Sequence, residues 1–439
     1  MSNAFIISNA RYLVTVNEQN EIKERVSLFV KDGKISAIGD AAKFPSNIPV
    51  FDASNHLVMP GLINTHTHLP MTLLRGWAEG VNLAGFLERV WAAEGAIMDA
   101  PTCALGGQLG AAEALMGGTT TALDMYFHPV ATHQAATGVG LRHIAGPIFL
   151  DFTGIDGYEW SQRMDLARQW PAEKAKIPGP HIPLFFMPHS TYTDSPENLA
   201  ALAALAKEMN ARIHIHLSET LMENQEVQTK YGKSPTEILR DTGILNLPTV
   251  FGHGIHLSES DIKIALQAKA AIAHNPGSNL KLGSGIADIH HYHSQGLTVG
   301  LGTDGCSSSN DLDMWQSMRL AAHLVAYKNS PDRVSAKQII RHATIEGANA
   351  VGLGDRIGSI EVGKEADIIA LDLRAFHLTP VHDVDALLVF AAGRSDVTDV
   401  WVAGMEVLKN RVLTKLDIAD LNIRISERIS ALSELKELR

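Results

Sequence analysis

Cysteine is nearly absent from this sequence. Only Cys103 and Cys306 occur among its 439 residues, and two isolated cysteines cannot supply a disulfide framework or a thiolate metal cluster. This scarcity is typical of a protein from a reducing compartment, so we expect a cytoplasmic location.

A long apolar run and an excess of positive charge are missing as well. No stretch approaches the roughly 18 apolar residues of a membrane-spanning helix, and the start, MSNAFIISNARYLVTV, lacks the pattern of a signal peptide. The formal net charge is −11, and the sequence has no run of lysine and arginine that could bind the phosphate backbone of a nucleic acid. We therefore expect neither a membrane nor a nucleic acid as a partner.

Short aliphatic or β-branched runs alternate with helical stretches rich in alanine and leucine over most of the chain. The runs are residues 62–66, 120–126, 141–149, 182–189, 211–216, 249–253, 270–275 and 297–304. This alternation is typical of a parallel sheet, and eight such runs favour a closed (β/α)8 barrel over an open sheet. Ser195 followed by Pro196 marks the start of one connecting helix.

Both chain ends look like short strands outside this alternation. Residues 5–52 contain VSLFVKDGKISAIG, a hairpin signal in which Asp32-Gly33 can form a tight turn, and residues 366–413 contain similar strands. Neither end is long enough for a stable β-domain alone, so we expect the two to form one small β-sandwich. The predicted organisation is sandwich at 1–58, barrel at 59–362, sandwich again at 363–414 and a surface helix at 415–439.

Three of the predicted strands end in histidine or aspartate, the residue types that often bind metals. His66 and His68 lie two residues apart at the end of the first run, so both would face the barrel mouth. The pair alone could be a coincidence, but His216 ends the fifth run and Asp304 ends the eighth. Three imidazoles and one carboxylate suit a single divalent cation, and zinc is our first choice, with iron or manganese as alternatives.

Other histidines have different predicted roles. His253 ends the sixth run beside the fifth, so we expect its ring to hydrogen-bond the water held by the metal, with a structural role as the alternative. His214 shares a face with His216 but lies one layer deeper, which favours an interior, hydrogen-bonded histidine. His274 could line the barrel, and the cluster at 290–293 favours a solvated helix face.

Five segments are similar to the amidohydrolase superfamily, and within it to the 5′-methylthioadenosine/S-adenosylhomocysteine deaminases. They are PGLINTHTHLPMTLLRG, HLSE, FGHGIHL, HNPGSNLKLGSGIA and LGTDGCSSSNDLDM, and the likeness extends over nearly the whole chain. The resemblance implies one metal held by His66, His68, His216 and Asp304. It also implies that Glu219 shuttles a proton, that His253 lies near the nucleophile and that the protein forms dimers or tetramers.

The resemblance further implies two substrate contacts that the residues alone indicate only weakly. Glu94, in VWAAE, lies on a loop or short helix after the first run, where a solvated carboxylate is the ordinary interpretation. His189 ends the fourth run at the rim where barrel enzymes keep their chemistry. Both would reach the ribose or the purine of a nucleoside.

Two departures from the family pattern bear on the substrate. Relatives that accept the homocysteine end carry arginines after the third run, whereas GPIFLDFTGIDGYEWSQ has none before Arg163, and Gly85, next to Phe86, replaces a common tryptophan. A carboxylate without a guanidinium partner is poorly compensated. We therefore expect 5′-methylthioadenosine as the main substrate, with adenosine and S-adenosylhomocysteine as lesser ones.

The implied reaction is hydrolytic deamination at C6 of adenine. Without a Cys-x-x-Cys pair the chain cannot build the cytidine-deaminase zinc site, and IPLFFMPH has no lysine to bridge two metals. The alternatives are a deaminase or chlorohydrolase of another nitrogen heterocycle, such as guanine, a pterin or a triazine, and a barrel that is a non-catalytic scaffold.

Overall fold

The structure is a computed structural model that describes residues 4–430. The strands are β1 Ala4–Ala10, β2 Tyr12–Val14, β3 Ile22–Lys23, β4 Val26–Lys31, β5 Lys34–Gly39, β6 Val50–Asp52, β7 His56–Pro60, β8 Leu62–Thr67, β9 Thr119–Asp124, β10 Arg142–Ala145, β11 Ile148–Phe149, β12 Phe185–Pro188, β13 Arg212–Leu217, β14 Thr249–His253, β15 Ala271–His274, β16 Thr298–Leu301, β17 Ile368–Asp372, β18 Val397–Val402, β19 Met405–Lys409 and β20 Val412–Leu413. The helices are α1 Leu83–Ile97, α2 Ala100–Met116, α3 Pro129–Val139, α4 Trp160–Ala175, α5 Pro196–Glu208, α6 Leu221–Tyr231, α7 Pro235–Asp241, α8 Glu259–Ala268, α9 Pro276–Lys281, α10 Ile289–Ser294, α11 Met314–Lys328, α12 Ala336–His342, α13 Ile345–Ala350, α14 Val384–Phe390 and α15 Ile418–Ile429.

The central strands run parallel in two sheets. One has the order β10-β9-β8 and the other the order β11-β12-β13-β14-β15-β16. Every predicted run contains a strand, and the run at 141–149 is divided into β10 and β11 by Gly146-Pro147. The edge strands β8 and β16 lie side by side. A hydrogen bond of 2.8 Å from Thr65 Oγ1 to the Leu301 carbonyl joins them.

Strands from the two chain ends share a third sheet. Its order is β20-β19-β18-β17-β7-β2-β3, and β17 pairs antiparallel with β7. A fourth sheet, β5-β4-β1-β6, comes from the N-terminal part alone. The predicted hairpin is confirmed as β4 and β5, with φ of 51° at Asp32 and 79° at Gly33. Ile7, Val58 and Trp401 belong to one hydrophobic cluster between these elements.

Helix starts follow local chemistry. Ser195 caps α5 through its side-chain oxygen, and Pro196 is the first helical residue, as predicted. Helix α15 lies within the predicted C-terminal segment, whose residues 431–439 are outside the described part of the chain. Within residues 4–430, no helix combines the length and the apolar character needed to cross a bilayer.

Candidate active site

The predicted ligand side chains converge at the carboxyl ends of the parallel strands. His66 Nε2 lies 3.4 Å and His68 Nε2 lies 3.2 Å from the same oxygen, Oδ1 of Asp304. His216 Nε2 lies 3.3 Å from His68 Nε2. In a tetrahedral zinc site, ligand atoms about 2.0–2.1 Å from the ion are about 3.3 Å from one another. These three distances therefore fit donor atoms that share one cation of the size of zinc.

Each imidazole is turned toward this point by a hydrogen bond at its other nitrogen. His68 Nδ1 donates to the Met125 carbonyl at 2.5 Å, and His216 Nδ1 donates to the His189 carbonyl at 2.9 Å. A carbonyl oxygen only accepts, so both rings carry their proton on Nδ1 and leave Nε2 free for a metal.

His66 is oriented by a second histidine instead. Its Nδ1 lies 2.8 Å from Nε2 of His214, and His214 Nδ1 donates to the Val250 carbonyl at 3.1 Å. His214 Nε2 must therefore accept the proton of His66 Nδ1–H. The prediction of an interior, hydrogen-bonded His214 is confirmed, and its contact with a candidate ligand is new. Nε2 of His66 is buried without a hydrogen-bond partner, as expected of an atom that faces a cation.

The electrostatics of the cluster suit a cation as well. Burial raises the pKa of Asp304, but its interactions with the nearby His66 and His68 outweigh it and hold that pKa well below its usual range. Burial lowers the pKa of His66 to about 4. The cluster thus offers an anionic carboxylate and, in His66, an imidazole that is neutral at physiological pH. Burial lowers the pKa of His68, but Asp304 outweighs it and raises that pKa to about 9, so a metal would displace a proton from this ring on binding.

The backbone at these strand ends takes unusual conformations. Ser218, His253 and Asp304 have φ of 50°, 70° and 62°. Left-handed φ at residues other than glycine costs about 1–3 kcal/mol each and is common at functional sites. Gly302 lets β16 approach β8, because a Cβ there would lie 2.8 Å from the His66 carbonyl oxygen and 2.2 Å from Asn275 Oδ1.

Polar contacts join the loops that follow the ligand strands. Lys281 Nζ at the end of α9 lies 2.9 Å from Glu79 Oε1, from the Ser307 carbonyl and from Asn310 Oδ1. Glu79 follows β8, while Ser307 and Asn310 follow β16. We call this group the Lys281 clasp, and it holds together the two loops beside His68 and Asp304.

Glu219 and His253 lie next to the candidate metal position. His253 Nε2 is 3.7 Å from Glu219 Oε2 and 3.9 Å from Asp304 Oδ2. His253 Nδ1 donates to Asn279 Oδ1 at 2.8 Å, so Nε2 points into the site. His253 also lies with His66 and His216 in a second group of donors close enough to hold an ion.

Glu219 is held in place by its neighbour Glu223. The backbone N–H groups of Ser218 and Glu219 donate to the Glu223 carboxylate at 3.0 and 2.8 Å. Ser284 Oγ donates to Glu219 Oε1 at 3.3 Å. Burial raises the pKa of Glu219, although nearby His253 acts in the opposite direction, so this carboxyl group can hold a proton closer to neutral pH than usual.

A cavity of about 250 Å³ opens from this cluster. Glu94 and His189 both line it, together with His68, Glu219 and Asp304. The ordinary interpretation of Glu94 was wrong on two counts, because it lies in the 15-residue helix α1 and is only 2% exposed. Tyr126 Oη donates to Glu94 Oε1 at 2.5 Å. Burial raises the pKa of Glu94 to about 7, against the opposing effects of Tyr126 and His68.

His189 lines the same cavity and is half-buried. Its Nδ1 lies 3.1 Å from Thr193 Oγ1. Burial, with the neighbouring His68 and His66, lowers the pKa of His189 to about 3, so the ring is neutral and can donate or accept one hydrogen bond. Its backbone carbonyl also orients His216, a role that its sequence position did not indicate.

The far part of the cavity is apolar, and we call it the apolar chamber. Its lining residues are Leu83, Phe86, Leu87, Val90 and Trp91 on α1 with Ile148, Leu150, Phe152 and Ile155 on the facing segment. Among residues 4–430, no lysine or arginine lines the cavity. Arg163, the first arginine after the third run, is fully buried and donates to both Asp156 oxygens at 2.9 and 2.8 Å.

The remaining histidines and cysteines lie outside the cavity lining. His274 is fully buried with neither ring nitrogen hydrogen-bonded, and Cys306 belongs to the main hydrophobic core. In the cluster at 290–293, His291 lies 2.9 Å from Glu259, and His293 lies beside His342 and Glu346. The prediction of a largely solvated helix face there agrees with the partial exposure of all three histidines.

Several contact residues were missed in the sequence. Asn279, Glu223 and Tyr126 each hold a candidate functional side chain in place. Only Glu223 had a local signal, since Thr220 caps α6 and Glu223 lies in its first turn.

Comparison with known proteins identifies the family of this chain. A model of the amidohydrolase family matches residues 57–407, so the chain belongs to that family. It is 36% identical over 440 residues to the 5-methylthioadenosine/S-adenosylhomocysteine deaminase of Thermodesulfovibrio yellowstonii, covering 98% of this chain and 99% of the relative.

Solved structures agree with this placement. The zinc-bound adenosine deaminase of Xanthomonas campestris matches with a TM-score of 0.94 and 33% identity, over 98% of both chains. The zinc-containing atrazine chlorohydrolase of Arthrobacter aurescens matches with a TM-score of 0.88 and 25% identity, over 97% of this chain and all (100%) of the other. Zinc in both neighbours supports a divalent metal in this protein.

Proposed function

We propose that this protein is a zinc-dependent deaminase that converts 5′-methylthioadenosine to 5′-methylthioinosine and ammonia. The observation that carries the proposal is the convergence of three imidazole Nε2 atoms and Asp304 Oδ1 at 3.2–3.4 Å from their neighbours. Glu219 and His253 beside that point supply the groups needed for proton transfer. The deaminases among the relatives support the substrate class.

The metal is held by His66, His68, His216 and Asp304 in this proposal. When bound, a divalent cation lowers the pKa of a water ligand from about 15.7 to about 7, so hydroxide is available at neutral pH. Zinc is favoured by the donor set and by the spacing of the donor atoms, and a water would be the fifth ligand beside the four protein donors. Iron or manganese would accept the same donors.

Three side chains of the protein transfer protons or hold the attacking water. Glu219 delivers its proton to N1 of the adenine ring, which makes C6 more electrophilic. His253, whose Nδ1–H is held by Asn279 Oδ1, accepts a hydrogen bond at Nε2 from the attacking water and so holds that oxygen against C6. Asp304 accepts one proton of the attacking water and passes it to the leaving amino group, which departs as ammonia. The remaining hydroxyl proton returns to Glu219 as the C6 carbonyl forms.

Glu94 and His189 orient the nucleoside. The Glu94 carboxylate, whose Oε1 accepts from Tyr126, can accept hydrogen bonds from ribose hydroxyls, and the neutral ring of His189 can bind the ribose or the purine. The substrate with an uncharged methylthio group is favoured over S-adenosylhomocysteine. The described part of the chain places no lysine or arginine in the cavity lining, and Arg163 is already paired with Asp156.

The alternatives have less support. A triazine chlorohydrolase matches at 25% identity, compared with 36% for the nucleoside deaminase. A non-catalytic scaffold would have no need for oriented Nε2 atoms together with a buried glutamate at 3.7 Å from His253.

We also infer the finer architecture from these contacts. The two parallel sheets close into a (β/α)8 barrel through the β8–β16 edge. The two sheets from the chain ends form the small sandwich from the described residues of the predicted segments 1–58 and 363–414, and helix α15 follows it. The cytoplasmic location stays a prediction.

A panel of adenine nucleosides tests the activity. Conversion of amino to oxo purine is followed by its ultraviolet change for methylthioadenosine, adenosine and S-adenosylhomocysteine, with guanine as a control. The expected order of kcat/KM is methylthioadenosine, adenosine, S-adenosylhomocysteine. Faster turnover of guanine would refute the substrate assignment, and equal efficiency on the first and last nucleosides would refute the arginine argument.

A further inference from the structure

We propose that the apolar chamber is a subsite for the 5′ substituent and that it accepts uncharged thioethers considerably larger than methyl. The inference rests on the proposed function for the orientation of the nucleoside. It adds a substrate class, the 5′-S-alkyl and 5′-S-aryl adenosines, to the methylthio compound.

The order of residues along α1 carries the first step. Glu94 lies at the metal end, and the residues one, two and three turns earlier on the same face, at 90–91, 86–87 and 83, are all apolar and line the cavity. Eleven residues of helix extend about 16 Å. A nucleoside with its base at the metal and its ribose at Glu94 therefore directs its 5′ substituent along an apolar face that is much longer than one methyl group.

The chemistry of the chamber carries the second step. It is lined by aliphatic and aromatic side chains, and Arg163, the nearest arginine in the following segment, is locked against Asp156. A charged amino-acid end would lose its hydration there without gaining a partner. An alkyl or aryl group has no such cost, and it gains about fourfold in affinity for each methylene that it buries completely.

The outer rim carries the third step. Trp91 and Phe152 remain 39% and 42% exposed, and their ring centroids lie 5.9 Å apart. Aromatic surface left in water at the mouth of a cavity is available to cover a bulky apolar ligand. The chamber is therefore open to solvent at Trp91, one turn of α1 from Glu94, where the two rings can cover a bulky substituent.

Binding of product analogues tests this inference without requiring turnover. Isothermal titration of the metal-loaded protein compares 5′-methylthioinosine with 5′-butylthioinosine, which differ by three methylenes. We expect the butyl compound to bind at least about tenfold more tightly, given about fourfold per methylene at full burial. Equal or weaker binding of the butyl compound would overturn the proposal.

Variants locate the effect. Val90→Phe fills the chamber and should reduce the butyl-to-methyl affinity ratio toward one, whereas Ala92→Phe adds the same ring on the exposed face of α1 and should leave the ratio unchanged. If Val90→Phe does not fold, Phe152→Ala, which truncates a half-exposed ring, should reduce the ratio as well. A ratio unaffected by Phe152→Ala and by folded Val90→Phe contradicts the proposed location.

Turnover of methylthioadenosine, measured in parallel, separates the two claims. A folded, metal-loaded protein that binds butylthioinosine tightly but deaminates no adenine nucleoside refutes the proposed function and supports the chamber. A protein that deaminates methylthioadenosine but binds the butyl compound no more tightly refutes the chamber alone.

Discussion

Replacing Glu94 by glutamine should stabilise the protein and at the same time weaken substrate binding. Glu94 is 2% exposed, and burial raises its pKa from 4.5 to about 7. Because the folded state binds this proton more tightly than the unfolded state does, ionising the group costs folding free energy. The wild-type protein therefore loses this contribution to stability as the pH rises from 4.5 to about 7, and above about 7 the loss is constant.

The size of the effect follows from the difference between the two pKa values. A rise in the pKa of Glu94 from 4.5 to about 7 lowers the free energy of unfolding of the wild type by about 3 kcal/mol at pH 8 and by less than about 1 kcal/mol at pH 5. Glutamine keeps an oxygen for the Tyr126 hydroxyl and removes the charge. A bound cation would itself favour the carboxylate, so about 3 kcal/mol is an upper value for the metal-loaded enzyme.

Urea unfolding of Glu94→Gln and wild type at pH 5 and pH 8 measures this difference. We expect a clearly larger gain in the free energy of unfolding at pH 8. Glu88→Gln on the exposed face of the same helix is the control and should change stability little at either pH. The same Glu94→Gln variant should lose about tenfold in nucleoside affinity, since a neutral acceptor replaces a charged one. An equal change at both pH values, or a loss at pH 8, would refute the reasoning.

Three further substitutions test the surroundings of the metal. His214→Leu leaves Nδ1–H of a ligand ring unpaired and should weaken metal affinity by about 10–100-fold, measured by competition with a chelator; unchanged affinity would contradict the orienting role. Gly302→Ala places a Cβ 2.2 Å from a buried amide oxygen and should lower the melting temperature, whereas Gly138→Ala, on an exposed helix face with free space, should raise it slightly; equal shifts would show that no close contact exists. Lys281→Met removes the clasp and should speed metal loss to a chelator severalfold, whereas Lys176→Met breaks only an exposed pair and should not.

The ends of the strands could be predicted because local chemistry determines them. The two-residue period of a strand places His66 and His68 on one face, and the histidine and aspartate that end the fifth and eighth runs follow from the same rule. The turn at Asp32-Gly33 and the cap at Ser195 depend on neighbouring residues only, and both were predicted correctly.

The burial of Glu94 could not be predicted, because it depends on contacts between segments far apart in the chain. Its hydrogen-bond partner, Tyr126, is 32 residues away. The partner of His253, Asn279, lies 26 residues away. The positive φ of His253 arises from tertiary structure, and no residue-level pattern indicates it.

Anomalous diffraction from crystals of the metal-loaded protein, recorded at the zinc absorption edge, tests the central claim most directly. We expect one peak about 2.0–2.2 Å from Nε2 of His66, His68 and His216 and from Oδ1 of Asp304. A fully loaded crystal with its peak elsewhere, or with any of these four atoms turned away from it, would contradict the proposed site.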